Sequence, residues 1–364
     1  MTRLFRSSVV DHDLSVYLSR RPFTIRLTER ADDAAWDAYV SEHEFGSPFH
    51  LIAWRRTIEE VFGYRALYLI AFDGPKICGV LPLFLIENML MGRVLLSTPF
   101  AVYGGVLADS PDVRKAFSDQ VQTLAVALEV DHVELRNGHE EQCLGYSRLD
   151  RYVTFTQQIG PDEEAVLQSI PRKTRYMVRK ALKHGFTAQT VRTTEAFERL
   201  YHRNLRRLGT PSFPKNYFQI LLRNFAENAE MREVILGDKV ASAVLTFYFR
   251  DQVLPYYGAS DQNLNEFSPN NFMYFDLMCT AGQSGYRLYD FGRSKKNTGG
   301  SYDFKAHWGM VEKELPYEML LVKRKALPNF TPTNAAFRAP RKLWQYLPLS
   351  ITRAIGPLFI RLVP

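Results

Sequence analysis

One order of apolar runs occurs twice in this 364-residue chain, and it limits the available folds more than any other feature. In the first half, residues 67–72 and 77–86 flank the turn Asp73-Gly74-Pro75-Lys76. Two apolar runs joined by an Asp-Gly turn predict a hairpin. Strand-like 94–97 and 103–107 follow, then an amphipathic helix over 113–130 and a strand over 132–136. In the second half, 232–236 and 240–249 flank Gly237-Asp238-Lys239, and a strand at 253–257, a helix at 272–284 and a strand at 287–291 come after. The order is hairpin, strand, helix, strand both times. It predicts two copies of one α/β unit, side by side.

The units are expected at 23–160 and 161–326, after an N-terminal arm at 1–22 and before a tail at 327–364. An apolar share of 46% against 23% charged residues suits a chain with substantial cores. A net charge of +7 favours anionic partners: phosphate-bearing donors, tRNA, nucleotide-linked sugars or an acidic membrane surface. Cys78, Cys143 and Cys279 are odd in number and widely spaced, so neither a disulfide framework nor a metal cluster follows. A reducing cytoplasm is the expected home. The first 22 residues carry scattered charges, not the pattern of a signal peptide. No uncharged apolar run reaches the roughly 18 residues that span a bilayer. The expectation is a soluble protein, at most peripheral at the inner face of a membrane.

Between the units, residues 170–185 read as a basic amphipathic helix that Pro171 starts and Gly185 ends. Arg172, Arg175, Arg179 and Lys183 share one face, with Met177, Val178, Ala181 and Leu182 expected toward the body. Such a face is either simply solvated or binds a phosphate chain. The second repeat closes on Tyr289-Asp290-Phe291-Gly292-Arg293-Ser294 and then Gly299-Gly300-Ser301-Tyr302-Asp303-Phe304-Lys305-Ala306-His307-Trp308-Gly309. A strand end that delivers Asp290, Arg293 and Ser294 to one place, beside a glycine-hinged turn and Lys305, is a way to build a site.

This closing block, the basic helix and the repeated unit resemble the FemAB-like aminoacyl/acyltransferases, which have the acetyltransferase (GNAT) fold. In finer detail the chain is similar to FemAB-like proteins of exosortase (PEP-CTERM) and exopolysaccharide systems. The resemblance covers nearly all of 23–364. It implies an α/β (α+β) fold of two tandem GNAT-like domains, with mixed sheets flanked by helices, a cleft between them and no coiled-coil arm. It also implies transfer of an amino acid from aminoacyl-tRNA to an amine of a peptidoglycan-type precursor, with no resident cofactor. Residues 267–271, before the 272–284 helix, lack the glycines that bring a pyrophosphate close to the backbone. Ser268 and Pro269 would still suit a helix start that binds anions. Acyl-CoA is therefore the second choice of donor.

Acyl transfer to an amine requires alignment, removal of a proton and stabilisation of an oxyanion. By the resemblance, Lys305 acts electrostatically on the donor side. Asp290 is the candidate for orienting or deprotonating the acceptor amine, or a structural strand-end carboxylate. Arg293 would hold a phosphate or carboxylate, or pair with Asp290. Ser294, Tyr302, Tyr257 and Tyr103 are candidate binding residues, and Arg175 and Arg179 candidate contacts for the donor's phosphates. No metal is implied. The tail mixes aromatic, apolar and cationic residues, with Pro348 and Pro357 expected to break it into short pieces. It would lie on an anionic bilayer or dock back on the body. Three functions stay open: aminoacyl transfer to a cell-envelope or exopolysaccharide precursor, acyl-CoA-dependent N-acylation of an amino sugar, and a catalytically silent binding or scaffold role in an export system.

Overall fold

Alternating apolar residues over 229–260 build three long antiparallel strands, Ala229–Leu236, Lys239–Phe249 and Gln252–Ser260. The computed structural model describes residues 23–138, 145–296, 299–328 and 338–364; the expected arm at 1–22 and Cys143 lie outside them. Both sides of the meander are covered, so its middle strand is apolar on both faces. Ala241 and Val244 join the cluster beneath helices Arg172–Leu182 and Pro269–Gln283. Ala243, Leu245 and Phe247 join the cluster beneath Glu195–Leu208 and Tyr217–Phe225. The full sheet runs Thr187–Val191, then the three long strands, then Leu288–Asp290 and Tyr152–Gln158, which pairs also with Ser294–Lys295 and with Val311–Glu314. Gln252–Ser260 and Leu288–Asp290 pair in parallel over Gln252 to Leu288 and Val253 to Tyr289 alone, then part.

The first half holds a four-stranded sheet and a six-stranded one. The single strand expected over 77–86 is two, Lys76–Leu81 and Phe84–Asn88, one in each sheet. Pro82 lies between them and has no N–H for a ladder, so the chain turns from one sheet to the next there. The strand expected over 103–107 shrinks to Leu107–Ala108, and Tyr103-Gly104-Gly105 is loop.

The two units are laced together. Tyr152–Gln158 lies before the expected boundary at 160 yet belongs to the second sheet, pairing with Leu288–Asp290. Tyr317–Leu321 lies in the expected second unit yet pairs with His132–Leu135 and Ser147–Leu149 of the first. A strand's own residues fix that it is a strand; which sheet edge it joins depends on partners far along the chain. One aromatic-rich core also crosses the junction: Phe49 and Trp54 pack on Phe247 and Tyr256, with ring centroids 4.8 Å apart for Phe49–Tyr256 and 6.0 Å for Trp54–Phe247.

The tail folds back on Glu195–Leu208 as helices Arg338–Tyr346 and Leu349–Phe359. Arg341 and Gln345 donate to the Leu208 and Arg207 carbonyls, each at 2.8 Å. Pro357 lies inside the second helix and does not end it. Among the described residues no helix is long and apolar enough to cross a membrane.

Helix Pro269–Gln283 presses at Gly282 on the segment that leaves strand Tyr152–Gln158, where a Cβ would fall 2.1 Å from the Gly160 carbonyl oxygen. In an open helix, Gly→Ala gains about 1 kcal/mol. Here the backbone contact reverses the sign, and Gly282→Ala is expected to cost about 1–3 kcal/mol. A denaturant midpoint that falls at constant slope would show this; a raised midpoint would refute the close approach.

Candidate active site

The closing motif forms a bulge. Strand Tyr152–Gln158 pairs with Asp290 through Thr156 and with Ser294 through Val153. Phe291, Gly292 and Arg293 therefore stand opposite Thr154 and Phe155, three residues against two. Gly292 takes φ +66°, which a glycine adopts without strain. A bulge re-aims side chains and leaves backbone groups free of the ladder. Here the freed groups are the carbonyls of Gly292 and Arg293.

Asp290 is buried, and three donors engage its carboxylate: the Tyr103 hydroxyl at 2.5 Å, the Thr154 hydroxyl at 2.8 Å and the Gly292 N–H at 2.7 Å. Burial, then the Asp290 charge, push the Tyr103 phenol above its ordinary range, so it stays protonated and donating. Tyr103 thus ties a first-half loop to the strand end of the second half. That loop has two more ties. Tyr256 donates to the Phe100 carbonyl at 2.8 Å, and Tyr317 donates to the Val102 carbonyl at 2.5 Å. From beneath, the buried Arg136 guanidinium donates to the carbonyls of Thr98 and Ala101. The geometry gives Asp290 a structural part, holding the junction, and not that of a base open to substrate.

Lys305 lies on the short helix Ser301–Ala306, and its Nζ donates to the Gly292 and Arg293 carbonyls at 2.9 and 3.0 Å. Burial pulls its pKa from 10.5 down to about 8; the Asp290 charge opposes this and the Arg293 charge adds to it. At neutral pH the group is still mainly an ammonium with three N–H donors, two of them spent on carbonyls. Trp308, fully buried against Phe291 and Phe304, anchors the segment. The Thr174 hydroxyl donates to the His307 carbonyl, so the basic helix holds the same segment from its far end.

Arg293 has no carboxylate partner among the described residues, and the alternative of an ion pair with Asp290 is not realised. Its guanidinium carbon lies 4.6 Å from the Tyr152 ring centroid and 5.8 Å from that of Tyr317, with Nη1 3.5 Å from the Tyr317 hydroxyl. Two aromatic faces hold the cation.

The remaining expected residues divide. Ser294 is buried in the bulge, its hydroxyl without a hydrogen-bond partner among the described residues. Tyr302 points away from the bulge, donating to Glu312 at 2.7 Å and packing on Phe155. Tyr257 belongs to the aromatic core, its hydroxyl 2.9 Å from that of Tyr217 among Phe213 and Phe218. Arg175 donates to the carbonyls of Gln168 and Ile170, closing the end of helix Glu163–Ser169, while Arg179 is exposed. On the basic helix the buried residues are Thr174, Val178 and Ala181; Leu182, expected inward, is 39% exposed. Ser268 does not cap helix Pro269–Gln283; it takes φ +61° with its hydroxyl buried and unpartnered.

Sequence reading passes over Tyr152, Thr154 and Tyr317, which build the aromatic clamp and the Asp290 hub. The run Tyr152-Val153-Thr154-Phe155-Thr156 carried a usable signal, since alternating β-branched and aromatic residues read as a strand. Tyr317 had none, because its place depends on the strand exchange.

Tyr103→Phe removes a hydrogen bond to a buried charge and is expected to cost about 1.5–3 kcal/mol of stability. Asp290→Asn removes the charge and turns its NH2 either toward the Tyr103 hydroxyl or toward the Thr154 and Gly292 donors, and should cost at least as much. Chemical denaturation measures both. Unchanged midpoints with lost turnover would return Asp290 to the role of a base.

A sequence model of the acetyltransferase (GNAT) domain matches residues 172–306, which contain the basic helix, the splayed strands and the whole bulge. No curated protein matches the chain. Among solved structures, FemX is similar over 80% of this chain and 96% of its own, at 17% identity and a TM-score of 0.64. L-PGS from Bacillus licheniformis is similar over 91% of this chain and 98% of its own, at 11% identity and a TM-score of 0.56. A tandem GNAT protein from the clavulanic acid biosynthesis pathway is similar over 82% and 98%, at 10% identity and a TM-score of 0.51. Residues 172–306 thus match the acetyltransferase (GNAT) domain, and the chain as a whole shares the fold of FemX and of the tandem GNAT protein.

Proposed function

We propose that this chain is an N-acyltransferase that moves an aminoacyl group from aminoacyl-tRNA to an amine of a cell-envelope or exopolysaccharide precursor. One observation carries the reading. At the junction of the halves, Lys305 keeps an unspent N–H and Arg293 has no anionic partner among the described residues, so two cations converge where the bulge opens. The acceptor amine attacks the ester carbonyl of the donor, and a C–N bond forms. The oxyanion that develops takes the third N–H of Lys305. Collapse breaks the bond to the ribose oxygen, which leaves with the proton the amine gives up. Arg293 holds a carboxylate or phosphate of the acceptor.

Two features favour tRNA over acyl-CoA. The start of helix Pro269–Gln283 lacks glycines, and the 3₁₀ turn Gln262–Phe267 precedes it with Ser268 and Pro269 buried, which leaves little backbone for a pyrophosphate to approach. Arg172, Lys173, Arg179 and Lys183 are exposed around the basic helix, whose end is tied to the Lys305 segment. With Arg175 spent on carbonyls and Lys180 on the Glu266 carbonyl at 3.0 Å, these four cations remain to follow a phosphate chain. FemX, by its fold, lends the reading its outline.

Lys305→Ala is expected to lower kcat/KM by about 100- to 1,000-fold. The wild-type advantage over this variant should shrink as pH rises through about 8, where the ammonium loses its proton. Dividing by the variant's profile cancels the titration of the acceptor amine. An advantage that grows above that pH would make Lys305 the base, and equal turnover would remove it from the chemistry.

Charged tRNA should bind in preference to acetyl-CoA. Arg179→Ala and Lys183→Ala should each reduce the salt slope of tRNA binding by about one. Tighter binding of acetyl-CoA would move the chain to the acyl-CoA enzymes.

A further inference from the structure

The C-terminal helices have one face on the body and another with no partner among the described residues. Trp344, Thr352 and Gly356 point inward, and Trp344 meets Phe359 with ring centroids 5.5 Å apart, joining the two helices. Outward stand Leu343 and Tyr346 on the first helix, with Ile351, Leu358 and Phe359 on the second; Tyr346 is 85% exposed, Leu343 66% and Leu358 61%. The spacings 343/346 and 351/358 place these residues along one side of each helix. Residues 338–364 contain no Asp or Glu, but Arg338, Arg341, Lys342, Arg353 and Arg361. Exposed apolar residues among cations, in an acid-free segment, match a surface that is apolar inside and anionic outside.

A second observation lies next to the first. A cavity of about 470 Å³ opens between helix Glu195–Leu208, the end of strand Gln252–Ser260 and Leu349, the first residue of the second tail helix. Arg203, Arg206 and Arg207 line it with Asn204 and Ser260; Asp261 is the acid in the lining, and its carboxylate accepts the Asn263 N–H at 3.0 Å. Arg203 makes no hydrogen bond or ion pair among the described residues. Arg206 has its Nε buried without a partner, its Nη1 reaching only the Leu347 carbonyl at 3.4 Å. Arg207 donates to Asn204 at 2.7 Å. An unsatisfied guanidinium nitrogen beside a free one is set up for an oxyanion with several acceptor oxygens.

We propose that this end of the molecule seats on an anionic bilayer, with Leu343, Tyr346, Ile351, Leu358 and Phe359 entering the interface and the arginine cavity taking a lipid phosphate. The tail fixes the depth and the cavity fixes the charge. Exposed arginines and lysines reach back to the headgroups while their stems cover apolar surface. The surface is independent of the chemistry at Lys305; it places the enzyme where a lipid-linked acceptor would be presented.

Co-sedimentation of the full chain with vesicles tests this. Vesicles of phosphatidylcholine mixed with phosphatidylglycerol should carry the protein down, and vesicles of phosphatidylcholine alone should not. Arg203→Ala with Arg207→Ala should weaken partitioning about 25-fold, at roughly five-fold per charge. Leu343→Ser with Leu358→Ser should weaken it at least ~10-fold. All four residues lie at the surface or in the cavity, so unchanged unfolding midpoints will show that the variants are folded. Glycerol phosphate should fail to release bound protein. Release by glycerol phosphate, or phosphate binding without vesicle binding, would make the cavity a site for a soluble anion and overturn the proposal. So would equal binding to neutral vesicles, or none to either kind. Turnover on a soluble amine acceptor, followed in the same variants, should be unchanged, and its loss in them would overturn the independence of this surface; no turnover in the wild type would count against the Lys305 chemistry and leave the vesicle result standing.

Discussion

The Asp290 carboxylate is the point on which the two halves depend. Its donors come from a first-half loop, from a strand exchanged between the sheets and from the bulge itself: Tyr103, Thr154 and Gly292. Each donor is held by something else, Tyr103 by a loop that Arg136, Tyr256 and Tyr317 brace, and Thr154 by the ladder of its strand. A buried charge is tolerable when hydrogen bonds replace its water, and expensive when one of them is missing. The junction therefore tolerates little slack, and the bulge beside it inherits that rigidity. A site that must align an amine with a carbonyl gains most from such preorganisation.

Strand exchange works toward the same end. Tyr152 arrives on a strand from before the expected boundary and Tyr317 on one from the far end of the second unit. They meet on either side of Arg293. Had each unit kept its own strands, the aromatic clamp would not straddle the junction. The guanidinium is held by rings and not by a carboxylate, which fixes its position while leaving its charge uncompensated.

Much of this was legible in the sequence, and the limits follow physical lines. Both hairpins, the helix before the closing strand and the basic helix were readable from periodicity and turn residues, because those signals are local. That Lys305, Arg293 and Tyr103 come to the junction was readable from the closing motif and the repeat. The role of Asp290 was not, since a carboxylate's part depends on which donors reach it, and two of its three come from distant segments. Tyr257 misled because a tyrosine beside a glycine at a strand looks the same whether it faces a cleft or a core. Arg175 misled because helical spacing places it on the basic face, yet the carbonyls ending the preceding helix lie within its reach. The expected break at Pro357 falls only two residues late: the proline has no N–H for the Arg353 carbonyl, and the helix ends at Phe359.

The electrostatics at the bulge run against stability. Lys305 titrates near 8 when folded and near 10.5 when free. Between those values the unfolded chain binds the proton that the folded chain has released, so this group makes stability rise with pH across that window. Below it, the folded protein carries an ammonium that burial and the neighbouring Arg293 both disfavour, and the charge of Asp290 offsets this only in part. An apolar residue at 305 would avoid the strain, and a carboxylate opposite Arg293 would relieve it. Among the described residues there is neither. Two under-compensated cations on a rigid bulge, facing the seam between the halves, make a poor structural device. They make a good receptor for negative charge that appears only during a reaction.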